Sequence, residues 1–416
     1  MLIIQPHWPP SNLVGTHRMR LIANELRSLG WKAVVLTIDE RDYEEELVPE
    51  TTKLVDPEVE VIKIRANRVV RLFGKRLIGD IGLRGWFPLR RAAHQLLSER
   101  KFSFIIFSLP SWYISLLGYG LQKKSRVPFG IDYRDPWVYK LSSEERGLNR
   151  AFFPPKLAKI LEPLALRGVS LVSGVSDGYL QGVRERYSQL SNVPFVTFQM
   201  GFRKKDHFIP LKNFQNPFLP EKRTFVYAGA HWPLGQTMFK EFLQALALAK
   251  KSGLAGNVQF LFIGTGNTKL PSLTATAAQL KLGDTFREIP ERLSYLQVQK
   301  ILREAHGAII IGSIEPHYSA SKIFQCLVTA KRTLAYFHQT SEGAQILELC
   351  NASNYFQPYN PATTEDDRIN SLSKCILRFT ADESMWQPNL EPLDQFTSKA
   401  NAVKLVNAID SLSLTK

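Results

Sequence analysis

Short unbroken apolar runs recur along the chain, and between them apolar positions fall at helical spacing. Leu2–Gln5, Ala33–Thr37, Phe104–Ser108, Phe129–Tyr133 and Leu171–Val175 are runs of the first kind. A strand buried on both faces of a parallel sheet has this pattern, because each side chain meets a helix layer whichever way it points. After the first run, Met19, Ile22, Ala23, Leu26 and Leu29 form a stripe, with Thr16 placed to cap it and Gly30 to end it. Strand, loop, helix and strand in that order make a βαβ unit. Val59–Ile64 adds an alternating strand and Val193–Phe198 a last one. Arg91–Glu99, Ser111–Leu121, Pro155–Arg167 and Asp177–Tyr187 add helices. The alternation predicts one doubly wound α/β domain.

Arg203–Arg223 interrupts the pattern with charges and prolines and no clean period, which predicts an interdomain linker. A second alternation begins at Thr224–Ala228 and continues through Val258–Ile263, with helices at Met238–Lys250, Ser272–Leu282 and Leu296–Glu304. Ser341–Leu349 and Arg368–Thr380 are further helices, Tyr355–Gln357 a short edge strand, and Ser398–Ile409 a closing helix. The expected organisation is therefore a first domain over 1–205, closed by a helix within 397–416, and a second over 206–396. A chain of 416 residues suits two such cores.

Composition narrows the class. No apolar run reaches the ~18 residues of a membrane-spanning helix, and the N-terminus lacks an export signal, so a cytoplasmic location is expected, at the inner face of the membrane if lipid is bound. Three widely spaced cysteines, Cys326, Cys350 and Cys375, suggest neither a disulfide framework nor a zinc site. The net charge is +15, which fits nucleic acid, an anionic membrane or a phosphorylated small molecule. No recognition helix or ribonucleoprotein motif supports nucleic acid. The basic residues concentrate in 63–91, from Lys63 and Arg65 through Arg84 to Arg90 and Arg91, with Leu83, Trp86 and Phe87 interleaved. Cations mixed with bulky apolar groups suit a membrane interface, and peripheral contact with an anionic membrane through this segment is expected. A basic excursion with no lipid partner is the plainer reading.

The most informative stretch runs from His306 to Phe337. Ala308–Ile311 predicts a buried strand, Gly312–Ser319 a loop, and Thr333–Phe337 the next strand. Between them Ile323, Phe324, Leu327 and Val328 mark a helix to about Ala330, capped by Ser319 or Ser321. Lys322 is the odd member: a cation in the first turn opposes the helix dipole. A nearby anion turns that into an advantage, and a diphosphate is a natural guest; a solvated surface lysine is the alternative. Two doubly wound domains in series would leave a cleft between the carboxyl ends of their sheets, where ligands of such sheets bind. The loops after strands hold Gly15, Arg18, Ser111, Asp135, Gly229 and Gly264, and also His7, His17 and His231, although a lone histidine is more often packed or solvated.

In order along the chain, PHWPPSNLVGTHRMRLIANELRSLGWKAVVLT, FGIDYRDPW, VSDGYLQGV, FVYAGAHWPLGQTMFKEFLQALALAKK, FLFIGTGN and SKIFQCLVTAKRTLAYF resemble the segments of GT-B glycosyltransferases of the group 1 kind, glycosyltransferase family 4. The resemblance is nearly full length and rests on the order of the motifs. It implies a GT-B fold, two Rossmann-like domains facing a central cleft, and transfer of a sugar from a nucleotide-diphosphate donor to a glycan, a lipid-linked molecule or another glycoconjugate in surface-polysaccharide synthesis. It further implies retention at the anomeric carbon and no cofactor, the nucleotide sugar being a co-substrate.

Carried over by position, the resemblance places Ser321 and Lys322 at the donor diphosphate or sugar, and Gly229, Gly264 and Gly266 where backbone approaches the nucleotide. It places Gly15, Arg18 and Ser111 at the acceptor and phosphate loops. Lys322 would stabilise the leaving diphosphate without a metal; no Asp-x-Asp pair precedes a suitable strand end, so no metal is expected. Asp135 is the candidate base, or else it fixes its loop beside Arg134. Gln325 stands where the family has a ribose-binding glutamate, and His317 stands where it has another, with Glu315 nearby as a substitute. FSLPSWY lacks the histidine that the family carries near the donor sugar. These departures keep two other readings open: a GT-B-like binding or scaffold protein without transfer, and a sugar-nucleotide epimerase on the same fold.

Overall fold

β1 (Leu2–Ile4), β2 (Val34–Ile38) and β3 (Glu60–Ile64) open a parallel sheet in a computed structural model that describes residues 1–68, 71–72, 75–76, 80–109, 111–138, 153–211, 214–267, 269–316, 322–329 and 331–414. The chain divides into two units, Met1–Gly201 with Phe396–Lys416, and Phe202–Gln395.

In the first unit a short antiparallel pair, β4 (Arg71–Leu72) and β5 (Lys75–Arg76), precedes β6 (Ile105–Ser108), β7 (Phe129–Tyr133), β8 (Leu171–Gly174) and β9 (Phe195–Thr197). The seven-stranded sheet has the order β3-β2-β1-β6-β7-β8-β9, so the strand order reverses at β1 and β6. Both faces are covered. On one, α1 (Gly15–Leu26) sets Met19, Ile22 and Leu26 against Leu405, Val406 and Ile409 of α12 (Ser398–Leu414), which returns the chain end to this unit. Fully burying each such side chain contributes roughly 1.5–3 kcal/mol. On the other face lie α2 (Ile81–Glu99), α3 (Gly118–Ser125), α4 (Phe153–Ala165) and α5 (Asp177–Arg186). Gly30, in a left-handed conformation at φ 80°, ends the turn after α1.

Helix α2 begins well before the expected Arg91. Asp80 caps it by accepting from the Leu83 N–H at 2.9 Å. Gly82, Gly85 and Pro88 read as breakers, yet the fold uses each of them. A Cβ on Gly85 would stand 2.7 Å from Ile38 Cδ1, and one on Gly82 3.3 Å from Ser111 Cβ. Pro88 has no N–H for the Arg84 carbonyl, and the Asn67 N–H takes that carbonyl instead, at 3.0 Å.

The acidic loop that follows β2 answers much of the basic segment. Lys63 pairs with Glu40 at 2.9 Å and Arg65 with Asp42 at 2.8 Å; Arg84, buried, pairs with Glu44 at 3.1 Å. The charge of these three cations is met by carboxylates within the fold, while Lys63 and Arg65 stay exposed. Phe73, Leu77 and Ile78 lie outside the described residues.

The second unit holds β10 (Arg223–Ala228), β11 (Val258–Ile263), β12 (Phe286–Ile289), β13 (Gly307–Ile311), β14 (Thr333–His338) and β15 (Phe356–Tyr359), all parallel, in the order β12-β11-β10-β13-β14-β15. Its helices are α6 (Gln236–Lys251), α7 (Leu273–Gln279), α8 (Tyr295–Glu304), α9 (Lys322–Val328), α10 (Glu342–Leu349) and α11 (Glu365–Ala381). Caps punctuate them: Ser294 and Gln297 form a capping box on α8, and Ser341 caps α10. Arg203–Arg223 is not a free linker. Lys300 donates to the Phe214 carbonyl at 2.6 Å and Arg287 to the Pro217 carbonyl at 2.6 Å, so the segment is fastened to the second unit.

Candidate donor site in the second unit

The strand order of the second sheet reverses between β10 and β13, and the loops that leave these two strands diverge there. A crevice at such a switch point is where doubly wound sheets take their ligands. Ser313 Oγ, after β13, donates to the Leu234 carbonyl, after β10, at 3.3 Å. Asn267 Nδ2, after β11, donates to the His231 carbonyl at 3.1 Å. Three strand-end loops are thus tied together.

Lys322 opens α9 inside this arrangement. Its ammonium donates to Tyr227 Oη at 2.8 Å, and Tyr227 Oη in turn donates to the Ala230 carbonyl at 2.9 Å. The ammonium lies 4.5 Å from the centre of the Tyr227 ring and 5.3 Å from that of Trp232, in cation–π range. Gly229 makes the room: a Cβ there would fall 1.7 Å from Lys322 Nζ and 2.3 Å from Cε. Among the described residues no carboxylate lies in ion-pair range of Lys322, and burial pulls its pKa from 10.5 down to about 8, slightly offset by Cys326. At neutral pH the group is still charged in most molecules. A cation held by aromatic faces and one phenol oxygen, short of water and without a counter-charge, is a place for an anion.

The other expected donor residues lie at the ends of β11 and β13 or on α9. Gly264 adopts φ 77° and ends β11 with its N–H on the Ile289 carbonyl at 2.8 Å, a conformation that glycine takes at least cost. Gly266 approaches backbone closely, since a Cβ would meet the Pro290 carbonyl at 2.8 Å. Glu315 is exposed after β13, its N–H donating to Ser313 Oγ at 3.1 Å. Gln325 is half-buried on α9, on the turn after Lys322. Ser321, Ser319 and His317 lie outside the described residues. His231 is buried, its Nε2 has no partner, and burial lowers its pKa, which favours the neutral ring. Tyr227 and Trp232 escaped the sequence reading. The signal was present in FVYAGAHW, where a tyrosine two residues before a glycine ends a buried strand.

The first unit disposes of its expected residues differently. Arg18 is 1% exposed, and its guanidinium grips Asp132 with both arms, at 2.7 and 2.9 Å, and reaches the carbonyls of Phe198 and Gln199 at 2.8 and 3.0 Å. It braces the interior and is not an anion-binding group on a loop, because its partner is Asp132 of β7, which the expectation overlooked. Asp135 pairs with Arg134 at 3.0 Å and is half-exposed. Trp137, from the same motif, is a core residue stacked on Trp112. Ser111 is buried against Gly82, and Gly15 begins α1 with its carbonyl accepting from Gln5 Nε2 at 3.0 Å. His7 Nδ1 meets Glu45 Oε1 at 2.8 Å, and Ser11 donates to the same oxygen. Burial would raise the Glu45 pKa, but those hydrogen bonds outweigh it and hold the pKa near 2. The pair pins the acidic loop onto the proline loop.

No protein-family profile matches the chain, and no curated protein does. Solved structures do match over their full length. Sucrose-phosphate synthase from Thermosynechococcus elongatus superposes with a TM-score of 0.60 at 14% identity, covering 100% of this chain and 99% of that one. HepE from Anabaena, in complex with UDP and glucose, gives 0.59 at 14%, with 99% of each chain covered. A putative UDP-N-acetylglucosamine 2-epimerase from Listeria monocytogenes gives 0.55 at 10%, covering 100% and 96%. The chain has the GT-B fold, two Rossmann-like units each built on a parallel sheet.

Proposed function

We propose that this protein is a glycosyltransferase that takes its sugar from a nucleotide diphosphate, with the diphosphate seated on Lys322. The observation that carries the proposal is the uncompensated ammonium between Tyr227, Trp232 and Gly229 at the switch point of the second sheet. Fold likeness to HepE, solved with UDP and glucose, supports a nucleoside diphosphate as the anion. The acceptor is a glycan, a lipid-linked molecule or another glycoconjugate. Transfer goes by front-side attack with retention: the bond between the sugar and the phosphate oxygen breaks, its electron pair leaves with the diphosphate, and the acceptor oxygen bonds to the anomeric carbon. The departing phosphate oxygen takes the acceptor's proton, so the step asks for no protein base, in keeping with Asp135 being engaged by Arg134. Lys322 stabilises the charge that develops on the diphosphate and needs no metal to do so.

The test is a binding screen with UDP, GDP, ADP, CDP and TDP, followed by turnover of the matching nucleotide sugars. One diphosphate should bind at micromolar Kd and raise the melting temperature; failure of all five would overturn the proposal. Gly229→Ala should weaken that diphosphate at least tenfold, because the new methyl takes the place of the Lys322 ammonium; the φ of 157° at Gly229 adds backbone strain, so the melting temperature should fall as well. Unchanged affinity would remove Lys322 from the site. Binding without any product would favour the scaffold reading, for which Gln325 is the motive. Hydrolysis or isomerisation of the sugar nucleotide without an acceptor would favour the epimerase reading, which the Listeria structure raises.

A further inference from the structure

Helix α4 is apolar well beyond the side that meets the core. Ala158, Leu161 and Ala165 face inward and join the core of the first unit. On the flank turned away from the core Leu157, Ile160 and Leu164 are 43%, 62% and 53% exposed. Their spacing is that of one helical stripe. The apolar arc of α4 is thus wider than the core beneath it needs, and its outer edge is left to water. Its exposed charges, Lys156 and Lys159, are both positive, while its single acid, Glu162, is turned inward, where Arg186 and Tyr187 bond it.

Helix α2 packs on the same face of the same sheet, so its outward side looks the same way as that of α4. That side carries Phe87, 65% exposed, and Leu83, with Arg90 and Arg91 beside them. Arg90 lies over the Trp86 ring at 5.6 Å. Between the two helices α3 shows Lys123 and Lys124 to solvent. One face of the first unit therefore presents two apolar stripes set in a basic field.

We infer that this face, built from α2, α3 and α4, binds the surface of an anionic lipid bilayer, with Ile160, Leu164 and Phe87 inserted at the level of the headgroups. The argument is complementarity of charge and of shape. Helices lying flat on a sheet offer side chains to a plane, and a bilayer is a plane that is apolar beneath an anionic layer. Aromatic and aliphatic groups enter while Lys and Arg stay among the phosphates. A second copy of the chain would bring a basic face against a basic face. The inference goes beyond sugar transfer and stands whether or not that reading holds. It also moves the membrane contact away from most of 63–91 to α4 and the outer side of α2.

Vesicle co-sedimentation tests it. The full chain should pellet with phosphatidylcholine vesicles that contain phosphatidylglycerol, far less with phosphatidylcholine alone, and less as salt rises. Ile160→Glu combined with Leu164→Glu should lower the binding at least tenfold. Both positions already touch water, so circular dichroism and melting should stay as in the parent, as should nucleoside diphosphate affinity. Lys159→Glu with Arg90→Glu should act in the same direction through charge alone. No binding to anionic vesicles, or full binding by the Ile160/Leu164 variant, would overturn the inference. So would a concentration-dependent dimer that the Ile160/Leu164 variant breaks, since the stripe would then belong to a second copy.

Discussion

Lys322→Met should abolish most of the diphosphate affinity while making the protein more stable. Removing a charge-assisted contact of this kind costs roughly 1.5–3 kcal/mol of binding, a factor of about 10 to 100 in Kd. Stability moves the other way because the ammonium is largely buried and, among the described residues, has no carboxylate in ion-pair range. The sign follows from the proton count. The Lys322 pKa lies near 8 in the folded protein and near its ordinary 10.5 when unfolded, so between those values the unfolded chain holds more protons and stability rises with pH. At pH 7 both states are charged and the folded one carries the full desolvation cost, up to about 3 kcal/mol at ~1.4 kcal/mol per pKa unit. Methionine keeps the apolar contacts with Tyr227 and Trp232, and Tyr227 Oη still has the Ala230 carbonyl.

Two measurements separate this from a merely structural lysine. In the parent, diphosphate affinity should fall as pH rises through about 8, where the cation is lost; in Lys322→Met the profile should be flat across that range. Between pH 8 and 9 binding to the parent should also take up a proton, seen by calorimetry in buffers of different ionisation enthalpy, because an anion raises the pKa of the ammonium it meets. A methionine variant that melts lower and binds as well as the parent would show that Lys322 serves the fold.

The buried strands were legible because a strand covered on both faces has no polar alternation to hide it. Val258–Ile263 and Phe129–Tyr133 fall where the apolar runs put them. β12 was not legible: Phe286–Ile289 sits at the edge of its sheet, and the adjacent Arg287 and Glu288 break both an apolar run and a period of two. The first half of α2 was hidden by Gly82, Gly85 and Pro88, whose reasons lie in other elements, in Ile38, Ser111 and Asn67. The same division holds at the site. Lys322 stood out on its own as a cation where a helix wants an anion, but its companions Tyr227 and Trp232 come from a strand end some ninety residues earlier, since strand order and not sequence spacing decides such meetings.

Arg18→Ala should be among the most damaging single changes in the first unit, although the resemblance would assign that residue to ligand. Arg18 and Asp132 are separated by 114 positions and meet with both arms of the guanidinium in a fully buried setting. Removing one partner of such a pair leaves a charge with neither water nor counter-charge, at a cost of about 3–5 kcal/mol. The Asp132 carboxylate would retain Ser173 Oγ, at 2.6 Å, while the carbonyls of Phe198 and Gln199 would lose their guanidinium donor. For a unit of this size that is a fall in melting temperature on the order of 10 °C. Arg18→Lys should not rescue it, since an ammonium cannot reproduce the fork that spans a carboxylate and two carbonyls. The decisive comparison is the double variant Arg18→Met, Asp132→Leu. Removing both charges leaves no unpaired ion, so the double should melt higher than Arg18→Ala alone. If instead the two losses simply added, the pair would not be acting as a unit, and the place of Arg18 in the interior would have to rest on its carbonyl bonds and on the Phe198 ring, 4.0 Å beneath its guanidinium.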